Sequence, residues 1–151
     1  MTDDRPARPG RALGVDLGAR RIGIAVSDSA GTLATPRGTV ARTGDAARDR
    51  RALVELALEE EAVVVVVGHP LSLDGTRGPA ARAAEAEAAA LTDLLTDRGI
   101  DVELFDERLT TVSAHQALTA GGTRGRDQRA VVDQTAAAIL LTAWCDARRA
   151  R

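Results

Sequence analysis

Three acidic residues in this chain sit where carboxylates have work to do. Asp16 interrupts an otherwise apolar strand pattern, Ala12-Leu13-Gly14-Val15-Asp16-Leu17-Gly18. A charge there opposes folding unless it is paired or holds a metal. Glu107 follows the strand pattern Val102-Glu103-Leu104-Phe105, in a segment Asp106-Glu107-Arg108-Leu109-Thr110-Thr111 where a strand hands over to a helix. Asp133 lies early in the last helical pattern, one residue beyond the apolar Val132 and toward the positive end of the helix dipole. If the fold brings the three together they repel one another, and divalent cations remove that repulsion. Hard oxygen ligands with no His or Cys among them favour Mg²⁺ or Mn²⁺ over Zn²⁺. A pair of such ions roughly 3.5 to 4 Å apart clamps the attacking water and the leaving oxygen of a phosphodiester. Each acid also has a plainer reading: Asp16 as a turn residue, Glu107 as a partner of Arg108, Asp133 as a first-turn helix charge. Only their common placement at element junctions favours a site.

The elements that must position these acids follow from the apolar patterning. Three strands are expected in quick succession over 11–17, 21–28 and 32–40, an antiparallel meander with turns at Gly18 to Arg21 and Asp28 to Gly31. Ala47, Val54 and Leu58 then fall at helical spacing, and the helix leads into Val63 to Val67. Five consecutive valines without polar alternation suit a parallel strand covered on both faces. Residues 79–98 form the clearest helix, with Pro79 in the first turn, Ala84, Ala88, Leu91 and Leu95 on one face, and Gly99 placed to stop it. A short strand from Asp101 to Phe105, a helix over about 110–120, a glycine-rich loop over 121–127 and a last helix over about 128–147 complete the chain. The last helix is expected to bury Val132, Ala136, Ile139, Leu140 and Ala143. The fold class is therefore α/β: a central mixed five-stranded sheet, antiparallel meander first and parallel strands after, with helices packed on it. Residues 1–10 read as a flexible tail, 11–147 as one domain and 148–151 as a second tail.

Composition bounds the function. The chain has 151 residues, enough for one domain that folds without disulfide or structural metal. Its single Cys, Cys145, makes no internal bridge and is expected to be a buried structural thiol. The polar N-terminus and the short longest apolar run, Ala62 to Val67, imply a soluble cytoplasmic protein with no membrane partner. A net charge of −2 means that nucleic-acid contact must use a local patch. All basic residues are Arg, most of them expected on the surface, and Phe105 and Trp144 are the only aromatics, which argues against a base-stacking platform. Arg20, Arg21, Arg108, Arg124, Arg126 and Arg129 lie in or beside the acid-bearing segments and could form a phosphate-contacting rim, with loop 121–127 closing on substrate.

Four blocks taken in order narrow the reading. Gly14-Val15-Asp16-Leu17-Gly18 with Arg21-Ile22-Gly23-Ile24-Ala25-Val26-Ser27-Asp28, Gly68-His69-Pro70 with Asp74-Gly75-Thr76, Asp106-Glu107-Arg108-Leu109-Thr110-Thr111, and Val132-Asp133-Gln134-Thr135-Ala136-Ala137 resemble the bacterial YqgF/RuvX family over roughly residues 11–147. Members of that family are named pre-16S ribosomal RNA nucleases and are also described as Holliday-junction-resolvase-like. The resemblance implies an RNase H-like fold and a metal-dependent nuclease with Asp16, Glu107 and Asp133 at the positions of the family's acids. Two positions depart from the family's pattern. His69 stands where relatives usually carry an apolar residue, and is expected to be a hydrogen-bonded structural histidine, with a proton shuttle as the alternative. Val131 stands where some members have Lys, and Arg129 is placed to supply that contact instead.

The resemblance implies hydrolysis of pre-16S ribosomal RNA at its 5′ end. Four-way DNA junction resolution is the alternative within the same chemistry, and would add the need for a symmetric dimer; the chain alone leaves monomer and homodimer open. Two other classes compete. A sugar-kinase-like ATPase would use the Gly-x-Asp-x-Gly loop for phosphates, but needs two domains where this chain has room for one. A catalytically silent RNA-binding or ribosome-assembly factor would use the same surface.

Overall fold

The computed structural model describes residues 10–150 apart from 111–125, with the backbone alone over 126–131. Strands β1 (Arg11–Leu17), β2 (Arg21–Ser27) and β3 (Ala34–Ala41) form the antiparallel meander. Helix α1 (Ala46–Glu59) then crosses to β4 (Ala62–His69), α2 (Pro79–Leu95) to β5 (Asp101–Asp106), and α3 (Arg126–Arg149) ends the chain. The sheet order is β3-β2-β1-β4-β5, with β1, β4 and β5 mutually parallel. The carboxyl ends of those three strands and the start of β2 therefore share one end of the sheet.

Period-2 alternation divides the sheet into two unlike faces. One presents Leu13, Val15, Ile22, Ile24, Val65 and Val67 to Leu53 and Ala57 of α1 and to Ala84, Ala88, Leu91 and Leu95 of α2. Each such large aliphatic side chain contributes about 1.5–3 kcal/mol when buried. The other face presents Ala12, Ala25, Val64 and Val66 to Ala137, Ala138, Leu141, Trp144 and Cys145 of α3. Val64 to Val67 are buried whichever way they point, as expected for a strand with helices on both sides.

Helix α2 buries the stripe that its periodicity implies. A short 3-10 turn (Thr96–Arg98) follows it and ends on Gly99 at φ 73°, a left-handed conformation that glycine takes without steric penalty. The other two helices are rolled relative to expectation. In α1 the buried residues are Asp49, Leu53 and Ala57, while Ala47 is exposed and Leu58 is 37% exposed. Asp49 tolerates burial because Thr43 donates both its backbone N–H and its hydroxyl to the carboxylate, the latter at 2.7 Å. In α3 the deepest residues are Ala137, Ala138, Leu140, Leu141, Trp144 and Cys145, and Val132, Ala136, Ile139 and Ala143 are only half-buried. The helix settles onto the glycine and alanine positions of the sheet, where relief is smallest and the backbones come closest, which a hydrophobicity stripe does not reveal. Cys145 is buried as expected, and burial raises its thiol pKa.

α3 starts at Arg126, so residues 126–127 are helical and do not belong to the glycine-rich loop. The rest of that loop, with Arg124, and the helix expected over about 110–120 fall on 111–125, outside the described residues. Among the described residues no helix is long and apolar enough to cross a membrane.

Candidate metal centre

Asp16 lies one residue from the end of β1, between two glycines. In the antiparallel pair it faces Gly23 of β2. On its other side Val15 pairs with Val67, which sets Gly68 of β4 beside Asp16. Each glycine makes room for another part of the site. A Cβ on Gly68 would collide with Oε1 of Glu107 and sit 3.2 Å from its Cδ. A Cβ on Gly23 would collide with the backbone carbonyl of Asp133, whose carbon would be 2.6 Å away. Further down the same face, a Cβ on Gly14 would meet Cβ of Leu141 at 3.0 Å and the carbonyl of Ala137 at 3.2 Å. Side-chain-free positions on β1, β2 and β4 thus let α3 and the start of the Glu107 turn settle onto the sheet around Asp16.

Glu107 opens a 3-10 turn (Glu107–Leu109) directly after β5, capped by Asp106, whose side chain accepts from the Arg108 N–H at 2.9 Å. Burial first, then the charge of Asp16 and a hydrogen bond between the two side chains, push the Glu107 carboxyl up to about 7. Asp106 adds a smaller like-charge push. Two partly buried carboxylates in contact demand a proton or a cation between them.

Asp133 is held differently. Nε of Arg21 donates to its Oδ2 at 3.0 Å, the two side chains being 23% and 30% exposed. Asp133 also lies about two turns inside α3, beyond the first turn in which the helix dipole acts. Arg21, not the dipole, is its electrostatic partner. The structure brings Asp16 and Glu107 into contact and Asp133 over the strand neighbour of Asp16. Among the described residues no three His, Cys, Asp or Glu side chains converge into a ready-made metal cluster.

The arginines proposed from sequence for phosphate contact have varied placements. Arg20 is exposed at the hairpin turn. Arg21 is committed to Asp133. Arg108 folds back on Asp106, with Nε at 3.0 Å and Nη2 at 2.6 Å, and reaches the Leu73 carbonyl at 3.4 Å. Arg126 and Arg129 belong to the first turns of α3, with their side chains, like that of Val131, outside the described residues. His69 meets Oε2 of Glu85 through Nε2 at 2.7 Å, and Arg77 pairs with the same carboxylate. Arg77 first and His69 second hold the Glu85 carboxyl down to about 2. His69 is thus a hydrogen-bonded histidine tying β4 to α2.

Sequence reasoning singled out the acids as candidates but passed over Gly23 and Gly68. Their signal was available: both fall on strands at the positions adjacent to Asp16, where glycine otherwise weakens a strand and marks close approach.

The donor set fits a divalent cation. It is all oxygen, it is partly withdrawn from water, and burial together with the charge of Asp16 raises the Glu107 carboxyl to about 7, a combination that a cation bound between the two would relieve.

Comparison with known proteins gives a consistent picture. A relative from Leifsonia xyli subsp. xyli named "Putative pre-16S rRNA nuclease" is 48% identical over 144 residues, covering 95% of this chain and 90% of the relative. One of the same name from Anaeromyxobacter dehalogenans is 48% identical over 138 residues, covering 91% and 98%. Among solved structures, Thermus thermophilus RuvC in complex with Holliday junction substrate superposes with a TM-score of 0.57 at 15% identity, covering 93% of this chain and 96% of RuvC, a likeness of fold. That fold is RNase H-like, as expected. The family model described as "RuvX: Holliday junction resolvase" matches residues 10–147, and with relatives at 48% identity spanning nearly the whole chain, this protein belongs to the RuvX family of nucleases.

Proposed function

We propose that this protein is a divalent-cation-dependent phosphodiesterase that trims precursor 16S ribosomal RNA at its 5′ end, with residues 11–147 as its nuclease domain. The observation that carries the chemistry is the contact of the Glu107 and Asp16 carboxyls beside Gly68, where burial and the charge of Asp16 raise the Glu107 pKa. A carboxyl so placed gains most from a cation, because ionising it next to Asp16 without one is unfavourable. Asp16, Glu107 and Asp133 are the residues that would hold Mg²⁺ or Mn²⁺, whose charge would supply Lewis-acid stabilisation at the scissile phosphate. Asp16 fixes the position on the rigid strand. Glu107 would be deprotonated as a ligand, and Asp133 would complete the set from the helix above Gly23. Arg20, Arg124, Arg126 and Arg129 surround the acids in sequence and serve as the phosphate-orienting set.

The choice of ribosomal RNA follows the names of the relatives, and would place the protein in the cytoplasm. The second reading, four-way DNA junction cleavage, is favoured by the description of the family model and would require a homodimer presenting two sites with two-fold symmetry. Incubating purified wild type and Asp16→Asn with precursor ribosomal RNA and with junction DNA, each with and without Mn²⁺, separates them. Cation-dependent RNA cleavage lost in Asp16→Asn supports the first reading. Junction cleavage alone selects the second, and full activity in Asp16→Asn refutes the site. A catalytically silent assembly factor would bind RNA without cutting it under every condition.

A further inference from the structure

Arg21 is the first residue of β2 and shares a face with Gly23, two residues on. α3 seats the Asp133 backbone directly over Gly23, so the guanidinium of Arg21 meets the Asp133 carboxylate where the helix brings it down. The pair is held by one hydrogen bond at 3.0 Å and is about a quarter exposed on each side. Such a pair can exchange partners: it is too solvated to be a fixed buried ion pair, whose rupture leaves an uncompensated charge. Meanwhile Asp16 and Glu107 already touch, and a third free carboxylate beside them would add to their repulsion.

Resting on the cation-dependent reading above, we infer that Arg21 is a latch on Asp133: it occupies that carboxylate in the cation-free protein, keeps it from Asp16 and Glu107, and has to release it when the site loads. Arg21 is then a positioning residue that sets cation affinity through Asp133. Its release also frees a guanidinium at the edge of the site, so loading the site and exposing a phosphate donor become one event. This assigns Arg21 a role that a static phosphate contact does not have.

The test is calorimetric titration of MnCl2 into the full chain without nucleic acid, for wild type, Arg21→Gln, Arg21→Lys, Asp133→Asn, Asp16→Asn and the double variant Arg21→Gln/Asp133→Asn, each checked by thermal melting. Removing the latch removes a competitor, so Arg21→Gln should bind Mn²⁺ roughly 2- to 5-fold more tightly than wild type. Arg21→Lys, with the charge but not the planar fork, should fall between them and decides the matter if the Gln variant does not fold. In the Asp133→Asn background the gain should vanish. The latch is overturned if Arg21→Gln, or failing it Arg21→Lys, binds no more tightly than wild type, or if the gain persists undiminished without Asp133, which would make it a general charge effect. If Asp16→Asn weakens Mn²⁺ binding but Asp133→Asn does not, the latch falls while the metal site stands. If neither wild type nor any Arg21 variant binds Mn²⁺, the metal reading falls and takes the latch with it.

Discussion

The two faces of the sheet are built to different ends. Under α1 and α2 the sheet carries large aliphatic side chains, Leu13, Val15, Ile22, Ile24, Val65 and Val67 among them, which interlock with Leu53, Leu91 and Leu95. Under α3 it carries Ala12, Gly14, Gly23, Ala25 and Gly68, with Val64 and Val66. The first face buries the more apolar area per residue and supplies most of the hydrophobic stabilisation. The second gives up area for proximity: with glycine at 14 and 23 the backbone of α3 comes within contact of the strands, and glycine at 68 admits Glu107. Stability and site construction are thus separated across one sheet. The site itself opposes folding, because it sets Glu107 against Asp16.

This contrast can be broken most severely at Asp16. Asp16→Asn should lower cation-dependent cleavage by about 10³-fold or more, as expected for removal of a group that organises transition-state charge. It should also raise the melting temperature of the cation-free protein, because the like-charge contact with Glu107 is gone. A melting temperature below that of wild type would contradict the frustrated-site account. On the opposite face, Leu91→Ala should cost about 2–5 kcal/mol in denaturant unfolding, with kcat of the folded protein unchanged. Gly23→Ala should show the reverse balance: about 1–3 kcal/mol of overpacking, and a loss of cleavage because Asp133 is lifted away. Equal effects on kcat from Leu91→Ala and Gly23→Ala would dissolve the distinction between the faces.

A pH titration sharpens it further. The Glu107 carboxyl is raised in the folded state from 4.5 to about 7, so between those values the folded protein binds more protons than the unfolded chain. Stability of the cation-free protein should therefore fall as pH rises from about 4.5 to 7, by on the order of 1–2 kcal/mol once partial solvent screening is allowed for. Saturating Mg²⁺ or Mn²⁺ should abolish that fall, and Asp16→Asn should reduce it while leaving the larger part that burial of Glu107 causes. Chemical unfolding across this range, with chelator and with metal, makes the measurement. The smallest effect is expected at His69. Since His69 meets Glu85 beside Arg77, His69→Gln should leave the pH profile of cleavage unchanged; loss of a limb of that profile in the variant would restore the proton-shuttle role.

The legibility of these features differed by kind. Strands β1, β2 and β4 and helix α2 stood out because apolar alternation, the valine run and an i, i+3, i+4 stripe are local signals. The stripes of α1 and α3 came out rolled because Asp49 and Leu58 exchange the places their polarity suggests, and because α3 follows the smallest relief of the sheet. Asp16 and Glu107 were legible as charges at strand ends. Their contact was not, since it depends on parallel pairing of β1 with β4 and of β4 with β5, which joins residues far apart along the chain.

Residue types alone therefore settled the α/β class and, through four ordered blocks, the family, and singled out three acids as candidates. The tertiary structure decided which acid faces which partner. It set Glu107 against Asp16 and gave Asp133 to Arg21, because strand register and the missing side chains of Gly23 and Gly68 determine approach distances, and electrostatics acts on distance rather than on order along the chain.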